Sequence, residues 1–449
     1  MGIVALIVLI GATVVVNVIL KRDIAEALFV GLVGTCLVGG LQAPQLLWYG
    51  VTSALASEVT FAAMAFVFMG IIVQSTGLID RLITILDSIF GRLRGGAGYV
   101  STVGAAMIGL IAGNGAGNAA TVGTVTIPWM KETGWSSNRS ATIIAGNAGL
   151  GIALPPNSTM FILLAMPAAA GASPSSVYVA LACAGGYAVL YRLFVIGMWT
   201  RKDGVPRTPH EKMVPFPTAL RRGWTSPFIF LGIIIPVILT VGPLAKWFTE
   251  STPIGEEGLG SISIIVWVPI LITIIALIEG RHRIRQNNEH FRVQLAKDAG
   301  QFATVGISLF AALAAANVMQ KLGLSEQLEG WLDTLSLPKM VLLGLIIVIV
   351  VIVATPLSST ATAASVGAPA LAALVSVGID PTVAIIVLLL CTSTEGASPP
   401  IGAPIYLAAA MAKADPPKMF PALIAFYVLP VMLLAWVIGM GILPLWIPG

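Results

Sequence analysis

Apolar stretches of roughly twenty residues recur along almost the whole chain, separated by short polar loops, and that length is what one helical crossing of a bilayer requires. Inside hydrocarbon every backbone amide and carbonyl needs a partner within the protein, so such a chain folds as membrane helices or a closed barrel. Continuous rather than alternating apolar runs select the helices. Composition agrees: of 449 residues, 57% are hydrophobic and 10% charged, whereas a soluble domain carries about 25% charged residues. The chain reads as an all-α polytopic membrane protein. Met1 to Leu20 has no basic leading segment and runs straight into Lys21-Arg22, so it reads as a retained first span. The cysteines stand singly in apolar segments, and His210, His282 and His290 fall in polar loops. That pattern argues against a disulfide framework and against a His/Cys metal centre within the membrane.

About ten crossings are expected, near 3–20, 24–48, 58–77, 140–171, 174–199, 226–245, 258–278, 299–320, 383–412 and 420–443. Two further apolar stretches, 97–130 and 340–377, are broken at their middles by small polar residues and read as re-entrant hairpins. The loop 201–226 carries Arg201, Lys202, Arg207, Lys212, Arg221 and Arg222, and the loop 280–298 carries Arg281, Arg283, Arg285, Arg292 and Lys297. Both are therefore expected in the cytoplasm. Of the 24 lysines and arginines, only Lys246, Lys321 and Lys339 then face outward, together with both termini. Counting either hairpin as a full crossing would invert that pattern downstream.

The chain also repeats itself. At an offset of 244, Ala119, Ala120, Val122, Gly123, Gly134, Ala153, Pro155 and Pro156 recur as Ala363, Ala364, Val366, Gly367, Gly378, Ala397, Pro399 and Pro400. Upstream, at 246, Gly77, Leu78, Leu82, Leu86 and Asp87 recur as Gly323, Leu324, Leu328, Leu332 and Asp333. Each copy holds a span, an amphipathic segment, a hairpin, a proline-interrupted span and a closing span. The first copy starts with an inward crossing and the second with an outward one, so the copies are expected to be inverted in the membrane. In the first amphipathic segment Leu78, Leu82, Ile85, Leu86 and Ile89 share one helical face, opposite Asp80, Arg81, Thr84, Asp87, Ser88 and Arg92. A helix of that kind lies along a membrane surface, as an arm between two bodies or as a plain linker.

Four breaks carry the polar groups. The first hairpin tip reads Gly113-Asn114-Gly115-Ala116-Gly117-Asn118-Ala119-Ala120-Thr121, and the first interrupted span breaks at Leu154-Pro155-Pro156-Asn157-Ser158-Thr159. The second copy offers Pro356-Leu357-Ser358-Ser359-Thr360-Ala361-Thr362 and Thr392-Ser393-Thr394-Glu395-Gly396-Ala397-Ser398-Pro399-Pro400. Paired breaks in the two halves of a membrane chain point to a transporter's binding site: half-helix N-termini attract an anion, and freed carbonyls and hydroxyls coordinate a hard cation. The residues expected to face solute are Asn114, Asn118, Asn157, Ser158, Ser359, Thr360 and Glu395. Those expected to face sodium are Gly113, Asn118, Thr121, Pro155, Asn157, Ser358, Thr362, Thr394, Ser398 and Pro399. Glu395 is an acid near mid-bilayer, which by default is functional. Its sequence context fits a cation ligand, a proton carrier or a cap on amides that holds the break in shape. Arg192 sits toward the cytoplasmic end of its span and is expected to snorkel to the interface.

At these residues the chain resembles the large membrane subunit (DctM-like) of tripartite ATP-independent periplasmic (TRAP) transporters. The matching stretches are Gly77-Leu78 with Gly91-Arg92-Leu93-Arg94-Gly95-Gly96, the tip at 113–123, Pro128 with Lys131 and Gly134, Leu150 to Ser158, and Ser398-Pro399-Pro400-Ile401-Gly402. Departures fall at Asn114, Gly115, Asn118, Asn157 and Glu395. The resemblance implies an elevator-type secondary transporter in a bacterial inner membrane, driven by sodium and carrying an organic acid such as a dicarboxylate or sialic acid. It also implies a separate small four-helix membrane subunit and a periplasmic substrate-binding protein as partners, with no nucleic acid. On that pattern 1–76 and 201–322 form a scaffold, 77–96 and 323–339 two arms, and 97–200 and 340–449 a transport domain. The competing reading is a single-component sodium- or proton-coupled organic anion carrier of the inverted-repeat class. An intramembrane enzyme is disfavoured, because no histidine or lysine stands beside the buried serines, and a channel because no charged ring is evident.

Overall fold

A computed structural model describes residues 1–56, 58–112, 115–207, 214–240, 244, 247, 251, 263–286, 288–324, 326–327, 330, 338–355, 357–400 and 402–447. Its regular elements are helices, and the one strand-like contact among the described residues is an isolated bridge between Arg94 and Arg207. Hydroxyls inside the apolar helices fold back onto carbonyls one turn earlier, as Thr13 does to Leu9, Thr102 to Gly98 and Thr126 to Val122 at 2.7–3.0 Å. That habit lets a polar side chain sit in an apolar helix without an orphaned donor.

The expected long crossings are mostly assembled from shorter pieces. Among the described residues three helices are long and apolar enough to cross alone: Pro174–Lys202, Ser359–Ser376 and Pro416–Gly439. Two bent pairs reach that length together, Gly40–Ala56 with Thr60–Val73 at 61° and Phe216–Gly223 with Ser226–Thr240 at 59°. The crossing expected at 24–48 stops at Leu37, because the chain turns at Gly40 with φ of 59° and starts a new helix at Ala43. In the opposite sense, the basic stretch 280–298 is not an extended loop. It continues helix Ile264–Gln286 and opens the 34-residue helix Asn288–Lys321, since arginine, lysine and glutamine are good helix formers.

The two stretches expected as hairpins each fold as a pair of packed helices, Gly96–Ala112 with Gly115–Glu132 and Lys339–Ala354 with Ser359–Ser376. The interrupted spans are broken as expected: Ser137–Ala148, Leu150–Ala153 and Ser158–Leu164 in the first copy, and Pro381–Thr392, a short turn at Ser393–Ala397 and Ala403–Ala412 in the second. Backbone geometry repeats with the sequence. Gly77 and Gly323 take φ of 68° and 78°, Gly134 and Gly378 take 98° and 77°, and both Pro-Pro bonds are cis. Elements of the two copies interleave: Ser137–Ala148 and Gly115–Glu132 both pack on Ala403–Ala412, whose last carbonyl accepts from Lys131 Nζ at 3.1 Å. A second group of helices, Gly2–Val14, Ile24–Leu37, Ala43–Ala56, Glu58–Ser75 and Ile264–Gln286, gathers around Asn288–Lys321.

The first amphipathic segment is a helix, Leu78–Phe90, but it buries more than the one expected stripe. Ile79, Ile83 and Ser88 are buried along with Leu78, Leu82, Ile85 and Leu86, while Ile89 is 47% exposed. The cause is a second cover: helix Phe216–Gly223 from the basic loop packs on the arm as Gly96–Ala112 does. The start of the arm is pinned to Ile264–Gln286: Arg81 Nη1 lies 2.7 Å from Glu279 Oε1, which also accepts from the Thr225 hydroxyl. Most of the second segment, 323–339, lies outside the described residues. Because Glu279 is largely buried, Arg81→Gln is expected to cost about 1–2 kcal/mol by leaving a carboxylate short of a donor. Arg81→Gln with Glu279→Gln should recover part of that. Thermal denaturation of the single and double variants checks it, and additive losses would show that the pair is not coupled.

Candidate functional site

The two breaks meet back to back. Gly149, just before the first, lies so close to the Ser393 carbonyl that a Cβ would stand 1.7 Å from its oxygen. Gly149 and Ser393 are themselves related by the offset of 244, and residues related in that way touch near a two-fold axis. Gly396 packs likewise on Ala148, and Gly109 in the first hairpin on Gly151, where a Cβ would come 2.5 Å from the Gly151 Cα. Glycines at these positions let backbone meet backbone where any side chain would separate the elements.

Glu395 stands at the centre of this arrangement. It is 7% exposed, and its two oxygens accept from different repeats, Oε1 from the Gly115 amide at 3.2 Å and Oε2 from the Ser359 amide. Gly115 and Ser359 open the second helices of the two hairpins. Of the readings open from sequence, the geometry is that of an amide cap, but on both distant hairpin tips rather than on its own break.

Gly113 and Asn114, expected at the first tip, lie outside the described residues. Asn118 is fully buried, and its Nδ2 donates to the carbonyls of Ala105 and Ala148 at 2.9 and 3.1 Å. Thr121 is half-buried, its carbonyl accepting from the Thr124 hydroxyl at 3.0 Å. In the first break Pro155 is buried and Asn157 is wholly engaged in shaping it. Its Nδ2 donates to the carbonyls of Ile152 and Leu154 at 2.9 and 3.0 Å, and its Oδ1 accepts from the Met160 amide at 2.8 Å, capping Ser158–Leu164. Ser158 is buried at the first position of that helix. At the second tip Ser358 is exposed and caps Ser359–Ser376, its hydroxyl 3.1 Å from that of Thr360, while buried Thr362 donates to the Ser358 carbonyl at 2.9 Å. In the second break Thr394 donates to the Cys391 carbonyl at 2.7 Å and Ser398 to that of Thr394 at 2.8 Å, with Pro399 half-buried.

Sequence reasoning missed Gly115 as a donor, named Thr159 in the first break without giving it a role, and missed Asn147 altogether. Asn118 Oδ1, Asn147 Oδ1 and Thr159 Oγ1 are buried with no hydrogen-bond partner among the described residues. An asparagine inside an apolar span was the available signal for Asn147. Arg192 does not snorkel. It is 2% exposed, its Nη1 is buried without a hydrogen-bond partner among the described residues, and its guanidinium lies 5.7 Å from the Tyr427 ring. The aromatic face, from a helix far along the chain, replaces the interface that a snorkelling side chain would seek.

A helical membrane protein with duplicated hairpins and broken spans converging at one buried centre has the architecture of a solute carrier. Residues 3–443 match the family described as "Tripartite ATP-independent periplasmic transporter, DctM component", and the chain belongs to it. A putative TRAP transporter large permease protein of Haemophilus influenzae is 25% identical over 186 residues, 41% of this chain and 44% of that one. The C4-dicarboxylate TRAP transporter large permease protein DctM of Vibrio cholerae is 25% identical over 200 residues, 44% of this chain and 42% of that one. The isethionate TRAP transporter permease protein DctMQ of Oleidesulfovibrio alaskensis is 32% identical over 118 residues, 25% and 18% respectively. The chain thus spans less than half the length of the curated relatives it matches. In fold it is similar to the Alcanivorax borkumensis YdaH transporter, a structure reported to have an unusual topology, with a TM-score of 0.60 at 17% identity over 90% of this chain and 89% of that one.

Proposed function

We propose that this chain is the large permease subunit of a sodium-coupled secondary transporter that takes up an organic acid by an elevator movement. The observation that carries the reading is the meeting of both breaks and both hairpin tips at one buried centre, together with three buried oxygens in the first repeat, Asn118 Oδ1, Asn147 Oδ1 and Thr159 Oγ1, that have no donor among the described residues. Buried amide and hydroxyl oxygens with no donor of their own suit a hard cation. Relatives named for C4-dicarboxylate and isethionate support an anionic organic solute. Residues 97–200 and 340–449 form the moving body, carried past a scaffold of 1–76 and 201–322 on the arms 77–96 and 323–339. A small four-helix membrane subunit completes the scaffold, and a periplasmic binding protein delivers the solute to a bacterial inner membrane, on whose outer side both termini lie.

Thermal denaturation of the purified protein in sodium, potassium or choline chloride at equal ionic strength tests the coupling ion. Sodium at about 100 times its dissociation constant should stabilise by about 2.7 kcal/mol. In Asn118→Ala, which removes an Oδ1 with no partner among the described residues, the sodium increment should shrink whatever the starting transition. Identical transitions in all three salts would remove sodium from the reading.

A further inference from the structure

We propose that Glu395 is a built-in anion: its side chain supplies, at the paired hairpin tips, the carboxylate that those tips would otherwise take from solution. The inference deepens the transporter reading and rests on it for its meaning in transport. The two amides that bond the carboxylate belong to Gly115 and Ser359, which are one offset of 244 apart and are therefore the same position in the two repeats. Each opens a helix of 18 residues, whose N-terminus carries about half a positive charge. Two equivalent positive ends thus share a single acid.

The sharing is asymmetric by construction. The counterpart of Glu395 in the first repeat is Gly151, where an added Cβ would already press on the Gly109 backbone, 3.1 Å from its Cα. One repeat therefore furnishes the carboxylate and the other yields the space. A Cβ at Gly115 would lie 2.6 Å from Glu395 Oε1, so the first tip is shaped around this acid. The backbone that carries the carboxylate is itself held in place: the turn Ser393–Ala397 is held at Ser393 by Gly149 and at Gly396 by Ala148.

Both oxygens act as acceptors, and a carboxylate has about four lone-pair positions, of which these amides take two. Ala116 and Ser358, beside the two amides, are exposed. A solute reaching the tips therefore meets an acceptor that is already anionic. The group it presents there is a donor, a hydroxyl or an ammonium, and its own carboxylate binds elsewhere.

The test is chemical rescue in purified full-length protein, followed by thermal transition rather than uptake, so that failure here is distinct from failure of the sodium experiment. Glu395→Ala should lower the transition by about 5 °C or more. Sodium acetate at tens of millimolar should restore at least half of that, saturably, while sodium chloride at equal ionic strength should not. Wild type should not respond to acetate beyond chloride. Glu395→Gln, which fills the space but turns an amide donor toward one of the two N–H groups, should fall between and ignore acetate. If Glu395→Ala does not fold, a lowered transition in Glu395→Gln alone supports the proposal. Acetate acting equally on wild type and Glu395→Ala, no rescue of a folded Glu395→Ala, or a Glu395→Gln as stable as wild type would each overturn it.

Discussion

Asn157→Ala is expected to lose about 3–7 kcal/mol of stability while removing only a small side chain. Three hydrogen bonds go at once: the cap on Ser158–Leu164, at about 1 kcal/mol, and two donors to the carbonyls of Ile152 and Leu154. Those carbonyls sit in the break, where the chain has no helical donor for them, and each buried orphan costs about 1–3 kcal/mol. Asn157→Asp keeps the capping oxygen but donates nothing, so it should lie between alanine and wild type. Thermal denaturation in detergent ranks the three. An alanine variant within a degree of wild type would mean that the break does not depend on this side chain.

The second large effect is expected at Gly149. An added methyl would be placed 1.7 Å from the Ser393 oxygen, which is backbone and cannot rotate aside, so Gly149→Ala must force the two breaks apart. Overpacking usually costs 1–3 kcal/mol, and a contact between two main chains belongs at or above the top of that range. The matched control is Gly186→Ala, inside Pro174–Lys202, where a Cβ meets nothing within 4 Å. There alanine should be neutral or stabilising by up to about 1 kcal/mol, because it is the better helix former. The monodisperse fraction after solubilisation separates the two variants. Equal yields from both would show that the breaks have slack between them.

The parts legible in the sequence were those punctuated locally. Proline pairs, glycine-rich tips and a 3.6-residue apolar stripe mark hairpins, breaks and arm without reference to anything distant, and the repeat offset aligns them. Span ends were less legible, because Arg281 to Lys297 is as polar as a loop yet keeps helical propensity. Asn157 had a readable signal that was given another meaning: an asparagine directly before an apolar run is a helix cap. The partners of Arg192 and Glu395 were out of reach. Tyr427, Gly115 and Ser359 become neighbours only after the helices pack, and no spacing along the chain announces them.

The bond from Gly115 to Glu395 spans 280 residues, and this sets an order on biogenesis. At about 5–20 residues per second, the first tip is synthesised roughly 15–55 s before the acid that completes it. Until then the nascent N-terminal half sits in the bilayer with an unanswered amide at its tip, stabilised by whatever water or chaperone reaches it. Neither half is a finished module, so a chain split between the repeats should assemble only when both fragments are made together.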